Sequence, residues 1–283
     1  MTTQAPTQPS ADATVPPEGA GAKRRSGFVR FWKVYGLSVL FSIMLLAIWE
    51  FCIWFFHVPK YLLPSPSGIA IAMKHDWSRY LLPNLWPSLI EVLVGFAIAV
   101  VAGVGLAVVL HLYGPLRRTI YPLLIGSQTI PIVVLAPILV IILGYNILPK
   151  VVIVALICFF PIVVNGLDGL RMVDDDFIHM MRTLDATRWA IFRKVEFPGA
   201  LPSIFSGMRV AATFAAIGAV FGEWAGSSKG LGYLIQASTP NLQTARIFGC
   251  ILLLTLIAMA LFGLVSLLER LVCPWVSRGG SAM

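Results

Sequence analysis

The side chains able to do acid–base, nucleophilic or metal chemistry are few and scattered along this chain. His57, His75, His111 and His179 lie far apart, and no group of His, Asp, Glu or Ser shows the spacing of a catalytic cluster. Cys52, Cys158, Cys250 and Cys273 sit in or beside apolar runs without a close pair, which reads as buried free thiols and gives no metal spacing. No G-x-x-x-x-G-K-[ST] occurs; "GAGAKRRS" and "GSSKGLG" both fail its spacing, so the chain has no loop of its own to cradle a nucleotide phosphate. What stands out instead is polarity in apolar surroundings. Glu50, Glu91, Glu223, Gln128, Thr129 and Asn165 interrupt greasy runs, and "MRTLDATRWAIFRKVEFPGALPS", residues 181–203, sets Arg182, Arg188, Arg193, Lys194 and two prolines between two of them.

The elements that must position these groups are membrane spans. The chain is 58% apolar and 12% charged, and its mean hydropathy is +0.85, far outside the range of soluble domains. A helix needs roughly 20 mostly apolar residues to cross a bilayer. Six such runs lie near 34–56, 88–111, 119–143, 149–167, 207–226 and 247–271. The expected fold is therefore an all-α integral membrane protein of six transmembrane helices. "GYNILPK" separates the third run from the fourth, with Gly144, Asn146 and Pro149 as turn residues. Pro122, Pro131, Pro137 and Pro161 interrupt these two runs and are expected to kink them, as hinges or as packing irregularities. Gly95, Gly103 and Gly105 in the second run suit close helix packing.

Residues 1–33 read as a tail, Pro- and Ala-rich over its first 22 residues and expected to be disordered. It has the wrong shape for a cleaved signal, so the first run, 34–58 with its flank, is expected to stay as an anchor. Lys and Arg set the orientation. With the N-terminus in the cytoplasm, inner segments carry 15 of these residues and outer segments 6, so both termini, including the tail 276–283, are expected inside. The net charge of +8 is this bias and requires no nucleic-acid partner.

Polar groups within a bilayer are costly and mark functional candidates. Glu50, Glu91 and Glu223 fall toward the outer half of their spans in this topology. For Glu50 and Glu91 the favoured reading is helix–helix hydrogen bonding or an interfacial carboxylate; the competing reading is a translocation pathway.

The insert at 168–206 is the longest cytoplasmic connection, and it is patterned. Phe177, Met180, Met181 and Leu184 form one apolar stripe at helical spacing. Asp174, Asp175 and Asp176 precede it, where carboxylates cap a helix. Asp185 suits a left-handed turn, and Thr187 an N-cap for a second helix over 188–197 bearing Trp189, Ile191, Phe192 and Val195. Pro198 is expected to stop that helix and Pro202 to restart the chain. Helix, turn, helix with a small polar tip suits docking into another protein; an amphipathic pair lying on anionic lipid is the equally open alternative.

This insert resembles the cytoplasmic signature of bacterial ABC importer permeases, a Glu-Ala-Ala triplet followed by Gly and then by Ile-x-Leu-Pro. Here the Glu position is His179, the two Ala positions are Met180 and Met181, the Gly position is Asp185, the Ile position Val195, the Leu position Phe197 and the Pro position Pro198. Only the proline is identical, and Val195 is kept in kind. The wider stretch "RTLDATRWAIFRKVEFPGALPSIFSGMRVA", with "LWPSLIEVLVGF" before it and "GEWAGSSKGLGYLI" after it, is similar to permeases of the sulfonate, taurine, nitrate and thiamine-precursor group, over roughly 60–275. The resemblance implies a type I importer transmembrane domain spanning 59–275, a second copy of the chain, two ATPase subunits that bind the ATP, and a soluble substrate-binding protein. It implies no cofactor on this chain and no catalysis by it. His179, Met180, Met181, Leu184, Asp185, Ala186, Thr187, Arg188 and Pro198 would then meet the ATPase, with 185–187 deepest in its groove. Gln128, Asn165, Glu223 and Trp224 become candidates for the pathway, since similar permeases line theirs largely with the fifth span. "GSSKGLGYLI" would form a short outward segment, with Tyr233, Leu234 and Ile235 at the outer interface; a loop anchored by an interfacial aromatic is the equally open alternative.

Two other classes compete. A secondary transporter often carries inverted repeats, and none is visible here. An integral membrane enzyme needs the catalytic cluster that is missing. "GEW" and "FFPIVVNGLDGL" look closer to the thiamine-precursor and riboflavin branch than to the nitrate or taurine branch.

Overall fold

A computed structural model of the protein describes residues 27–275; of the tail expected to be disordered over 1–33, residues 1–26 lie outside the described residues and 27–33 belong to a helix, and the tail expected at 276–283 lies outside the described residues. These residues are helical almost throughout. The helices are α1 (Gly27–Phe55), α2 (Pro66–Asp76), α3 (Leu82–Leu112), α4 (Gly114–Ser127), α5 (Ile132–Leu143), α6 (Leu148–Arg171), α7 (Asp175–Thr183), α8 (Arg188–Ile191), α9 (Phe197–Gly226), α10 (Leu231–Ser238) and α11 (Thr244–Val272). Wider π-turns, Trp77–Leu81 and Phe192–Glu196, lead into α3 and α9. The chain divides into two compact units at Ile48 and Trp49. The described part of the first is the larger share of α1.

Four stretches among the described residues are long and apolar enough to cross a membrane: Pro66–Leu112, Leu148–Arg171, Arg188–Gly226 and Thr244–Val272. A fifth is broken, with α4 and α5 meeting at 99°. The apolar stretch of α1, Val39–Phe55, is shorter. An all-helical membrane domain is thus the fold, and a total of six spans is consistent with it. The third expected run, 119–143, is not one helix. It breaks at 128–131, where Pro131 stands as N-cap of α5 in extended conformation; Pro removes an N–H and pushes the preceding residue out of the α region. Pro122, Pro137 and Pro161 lie inside continuous helices.

Proline opens helices here more often than it ends them. It occupies the first turn of α2, α4 and α6, where its missing N–H costs nothing, whereas Pro83 and Pro198 follow π-turns inside the unbroken stretches Pro66–Leu112 and Arg188–Gly226. Pro198 does not end its helix. The helix expected to stop there instead widens into the π-turn, Phe197 N–H donating to Phe192 O, and continues as α9 with Pro202 inside it.

In the second unit α6 is central, packed against α3 on one side and α9 on the other. Small residues set these distances. A Cβ on Gly95 would meet Val154 Cβ at 2.6 Å, and one on Gly103 would meet Ile162 Cγ2 at 2.9 Å; Gly105 faces open space. On α9, Gly207, Ala211, Ala215, Ala219 and Gly222 are all buried and recur every three or four residues, forming one small-residue face. The expected close packing therefore holds for Gly95 and Gly103 and extends to α9. α11 packs on α9, and α2 and α10 pack on α11. Cys158, Cys250 and Cys273 are buried, Cys52 half-buried, and all four are free.

Candidate functional site

Residues 172–196 form a crown on a rooted base at one end of the helices. Locally the chain folds as its caps dictate. The Asp174 carboxylate accepts from Asp176 N–H at 3.0 Å and starts α7. Asp185 has φ +54°, and the turn around it closes with Ala186 N–H donating to Met181 O at 3.1 Å. Thr187 Oγ1 accepts from Ala190 N–H at 3.3 Å and starts α8. His179, Met180, Leu184, Asp185, Thr187 and Arg188 are exposed, and Met181, Ala186 and Pro198 half-buried. Phe177, Met180, Leu184 and Trp189 are 54%, 52%, 71% and 61% exposed, an apolar crown of the kind that marks a protein-contact surface. The base is fixed. Ile191, Phe192 and Glu196 are buried; Phe192 stacks under Trp189 with ring centroids 5.3 Å apart and meets Phe197 at 5.7 Å. Glu196 Oε2 lies 2.9 Å from His111 Nε2 at the end of α3.

The opposite end holds a buried polar cluster. Asn84, Ser88 and Glu91 fall on one face of α3 at helical spacing. Ser88 Oγ donates to Glu223 Oε1 at 2.5 Å and accepts from Leu231 N–H at 2.8 Å. Glu223 Oε2 accepts from Gly232 N–H at 2.5 Å and Tyr233 N–H at 3.1 Å, so this carboxylate satisfies the free N–H groups that begin α10. Asn84 Oδ1 accepts from Gly230 N–H at 2.8 Å. Gly230 has φ +126°, and a Cβ there would collide with the Glu223 carboxylate, so only glycine fits. Lys150 Nζ lies 3.1 Å from Glu91 Oε1 and donates to Ser227 Oγ at 2.8 Å. Glu91 and Glu223 are each 1% exposed. Glu91 and Lys150 also line a cleft of about 470 Å³ with Asn146, Ser227 and Lys229.

Glu50 plays the same part as Glu223 at another helix start: it accepts from Ser67 N–H at 3.0 Å and Ser67 Oγ at 2.6 Å, in the first turn of α2. Glu50 and Glu91 therefore both make the inter-element bonds favoured for them. The four pathway candidates do not converge. Gln128 is exposed at the α4–α5 break. Asn165 is half-buried and its Nδ2 donates to Pro161 O at 2.8 Å within α6. Trp224, 44% exposed, donates from Nε1 to Gly232 O at 3.0 Å and borders an apolar groove of about 570 Å³ with Thr213 and Thr255. Glu223 and Trp224 meet only in that both hold α10. "LGYLI" is not a peripheral segment: Leu231 and Leu234 are buried in the main core, and Tyr233 and Ile235 are half-buried.

The sequence reading missed Asn84, Ser88, Lys150 and the His111–Glu196 pair as site residues. The recurrence of polar residues at 84, 88 and 91 was a signal for the first two; Lys150 and His111 carried none, since their partners are distant in sequence.

Comparison with known proteins places the chain in a family. Residues 95–278 match the family described as binding-protein-dependent transport system inner membrane component. The formylaminopyrimidine transport permease protein ThiX of Halalkalibacterium halodurans is 37% identical over 83% of this chain and 94% of its own length. The riboflavin transport system permease protein RibX of Chloroflexus aurantiacus is 34% identical over 86% of this chain and 91% of its own. The putative aliphatic sulfonates transport permease protein SsuC of Bacillus subtilis is 30% identical over 94% and 96%. Among solved structures, an inward-facing conformation of the MetNI methionine ABC transporter matches with a TM-score of 0.59 at 20% identity, over 68% of this chain and 95% of that one, which bears on the fold. A stand-alone secondary transporter is not favoured, and the relatives are transport permeases rather than enzymes. The chain belongs to the inner-membrane components of binding-protein-dependent transport systems and is a permease of an ABC importer.

Proposed function

We propose that residues 174–198 are the joint through which a separate ATPase drives this permease. The observation that carries this reading is the combination at one end of the molecule: an exposed apolar crown of Phe177, Met180, Leu184 and Trp189 over a base anchored by Phe192 and Glu196. A surface that only lay on lipid would gain nothing from so firm a root. In this reading His179, Met180, Met181, Leu184 and Arg188 contact the ATPase, Asp185, Ala186 and Thr187 enter its groove, and Pro198 passes the displacement into α9. ATP is bound and hydrolysed by the partner. The insert end and both termini face the cytoplasm, two copies of the chain pair across the pathway, and a substrate-binding protein delivers cargo to the end that carries α10. The pathway is bordered by Gln128, Asn165 and Trp224. Glu223 shapes it indirectly, by fixing α10 to α9.

For the cargo we infer a small nitrogen heteroaromatic compound of the pyrimidine or flavin class. Support comes from the names of the relatives at 37% and 34% identity, a formylaminopyrimidine and a riboflavin permease. A sulfonate-type anion is the second reading, supported by the relative at 30%.

The test is a gentle solubilisation of the native membrane with a C-terminal tag and mass spectrometry of what co-purifies. A P-loop ATPase is expected. A clean homo-oligomer, with no ATPase even after cross-linking through 185–187, overturns the proposal. Any co-purifying binding protein is then titrated with a formylaminopyrimidine, riboflavin and an aliphatic sulfonate, and the ligand that raises its melting temperature decides the cargo class.

A further inference from the structure

Three arginines meet where α4 begins and α6 ends. Arg117, Arg118, Tyr121 and Pro122 of α4, with Leu167 and Arg171 of α6, line a pocket of about 140 Å³. Guanidinium groups stay charged at any physiological pH, and three at one rim, Arg118 and Arg171 exposed and Arg117 half-buried, make a site that attracts a negative charge. Among the described residues no carboxylate pairs with any of the three. Among the described residues the ion pairs of arginine are Arg209 with Glu269 and Arg246 with Asp76, and neither reaches this pocket. Asp168, one turn before Arg171 on α6, forms no ion pair with it. Of the other acids at this end of the bundle, Glu196 is taken by His111 and Glu269 by Arg209, Asp174 caps α7, and Asp175, Asp176 and Asp185 form no ion pair among the described residues.

The floor of the pocket is apolar. Leu167 is 1% exposed and belongs to a small core with Ala107, Leu110 and Val163, against which Tyr121 packs. A charged rim over a greasy floor, at the ends of membrane-crossing helices, matches a lipid headgroup better than a free ion. The rim offers planar donor forks suited to phosphate oxygens, and the floor suits the start of an acyl chain. Basic pockets between transmembrane helices bind anionic headgroups by this logic.

We propose that Arg117, Arg118 and Arg171 hold the phosphate of an anionic membrane lipid. The ligand chemistry is a phosphate oxyanion. The lipid bridges the start of the broken α4–α5 pair to the last turn of α6, immediately before the insert. The site stands whichever ATPase or cargo the permease uses, because it rests on the pocket alone.

The test uses the full-length protein in nanodiscs of phosphatidylcholine containing a minor fraction of phosphatidylglycerol, with retained lipid counted by native mass spectrometry. Wild-type protein is expected to retain phosphatidylglycerol selectively, and the R117Q/R118Q/R171Q variant to retain at least about tenfold less. A charge-matched control, R182Q/R193Q/R270Q, removes as much charge from the same end and is expected to behave as wild type. Equal loss in both variants, or no loss in the first, overturns the pocket. A parallel arm offers inorganic phosphate to protein in pure phosphatidylcholine. If phosphate raises the melting temperature through the same arginines while phosphatidylglycerol is not retained, the site serves a soluble anion and the lipid assignment fails. Should the triple variant not insert, R118Q alone changes one rim residue and carries the same comparison.

Discussion

His111 Nε2 and Glu196 Oε2 lie 2.9 Å apart, with both side chains buried, at 9% and 2% exposure. They join the last turn of α3 to the π-turn beneath the insert. The insert is therefore tied to α3 as well as to the two helices that flank it in sequence.

H111A leaves Glu196 buried without its partner, and an unsatisfied buried group costs about 1–3 kcal/mol. The expected outcome is a lower melting temperature for H111A and a smaller fall for E196Q, whose amide can still bond. The double variant H111A/E196L is expected to recover part of the loss, because replacing both members of a buried pair by apolar groups is close to neutral. A double-mutant cycle by thermal unfolding in detergent measures this; additive losses would mean that the two residues do not interact.

The α9–α10 connection gives a second prediction. Glu223 accepts from Ser88 Oγ and from two N–H groups of α10. E223A strands those donors at about 1–3 kcal/mol each, whereas E223Q keeps a carbonyl acceptor and is milder. Hydrogen exchange at Leu231, Gly232 and Tyr233 is the measurement. Faster exchange confined to α10 and its loop is expected in E223A, and unchanged exchange rules out the capping role.

Lys150 is the cation of a cluster that contains Glu91 and Glu223. K150M removes it and leaves Glu91 uncompensated; breaking a buried pair in this way costs roughly 3–5 kcal/mol. The expected result is poor expression or a large fall in melting temperature, with K150M/E91Q recovering most of it. If K150M is as stable as wild type, Lys150 does not neutralise the cluster.

These relationships differ in how far they could be read from the chain. The spans were legible because a bilayer forces apolar runs into helices. The turn of the insert was legible because its signals are local: Asp174 and Thr187 cap, and Asp185 takes positive φ. Proline was misread at Pro198, which was expected to stop its helix. Its effect depends on which turn of a helix it occupies, and apolar periodicity does not reveal that. Pro131 breaks the third span, as an interruption there was expected to do, whereas the helix runs on through Pro198 into α9, although both sit in sequence as interruptions. The polar cluster was half legible. Glu91 and Glu223 stood out by composition, but Glu223 meets Ser88 across 135 residues, and no local pattern announces such a partner.

The insert itself gives the last prediction, and it rests on the proposed coupling. Asp185 holds φ +54°, a value that the proline ring, locked near −65°, cannot adopt. D185P must therefore open the turn between α7 and α8, while D185G should be tolerated because glycine accepts this backbone freely. Arg188 is exposed in the first turn of α8, so R188E changes the docking surface without touching the base. In proteoliposomes reconstituted with the co-purified ATPase and binding protein, D185P and R188E are expected to abolish ATP-driven uptake while insertion and dimerisation persist, and D185G to retain it. Trp189 fluorescence distinguishes the causes: R188E should leave the Trp189–Phe192 stack intact, whereas D185P should disturb it. Full transport in both D185P and R188E would remove the coupling role from residues 174–198 and return the insert to a pair of helices on the membrane surface.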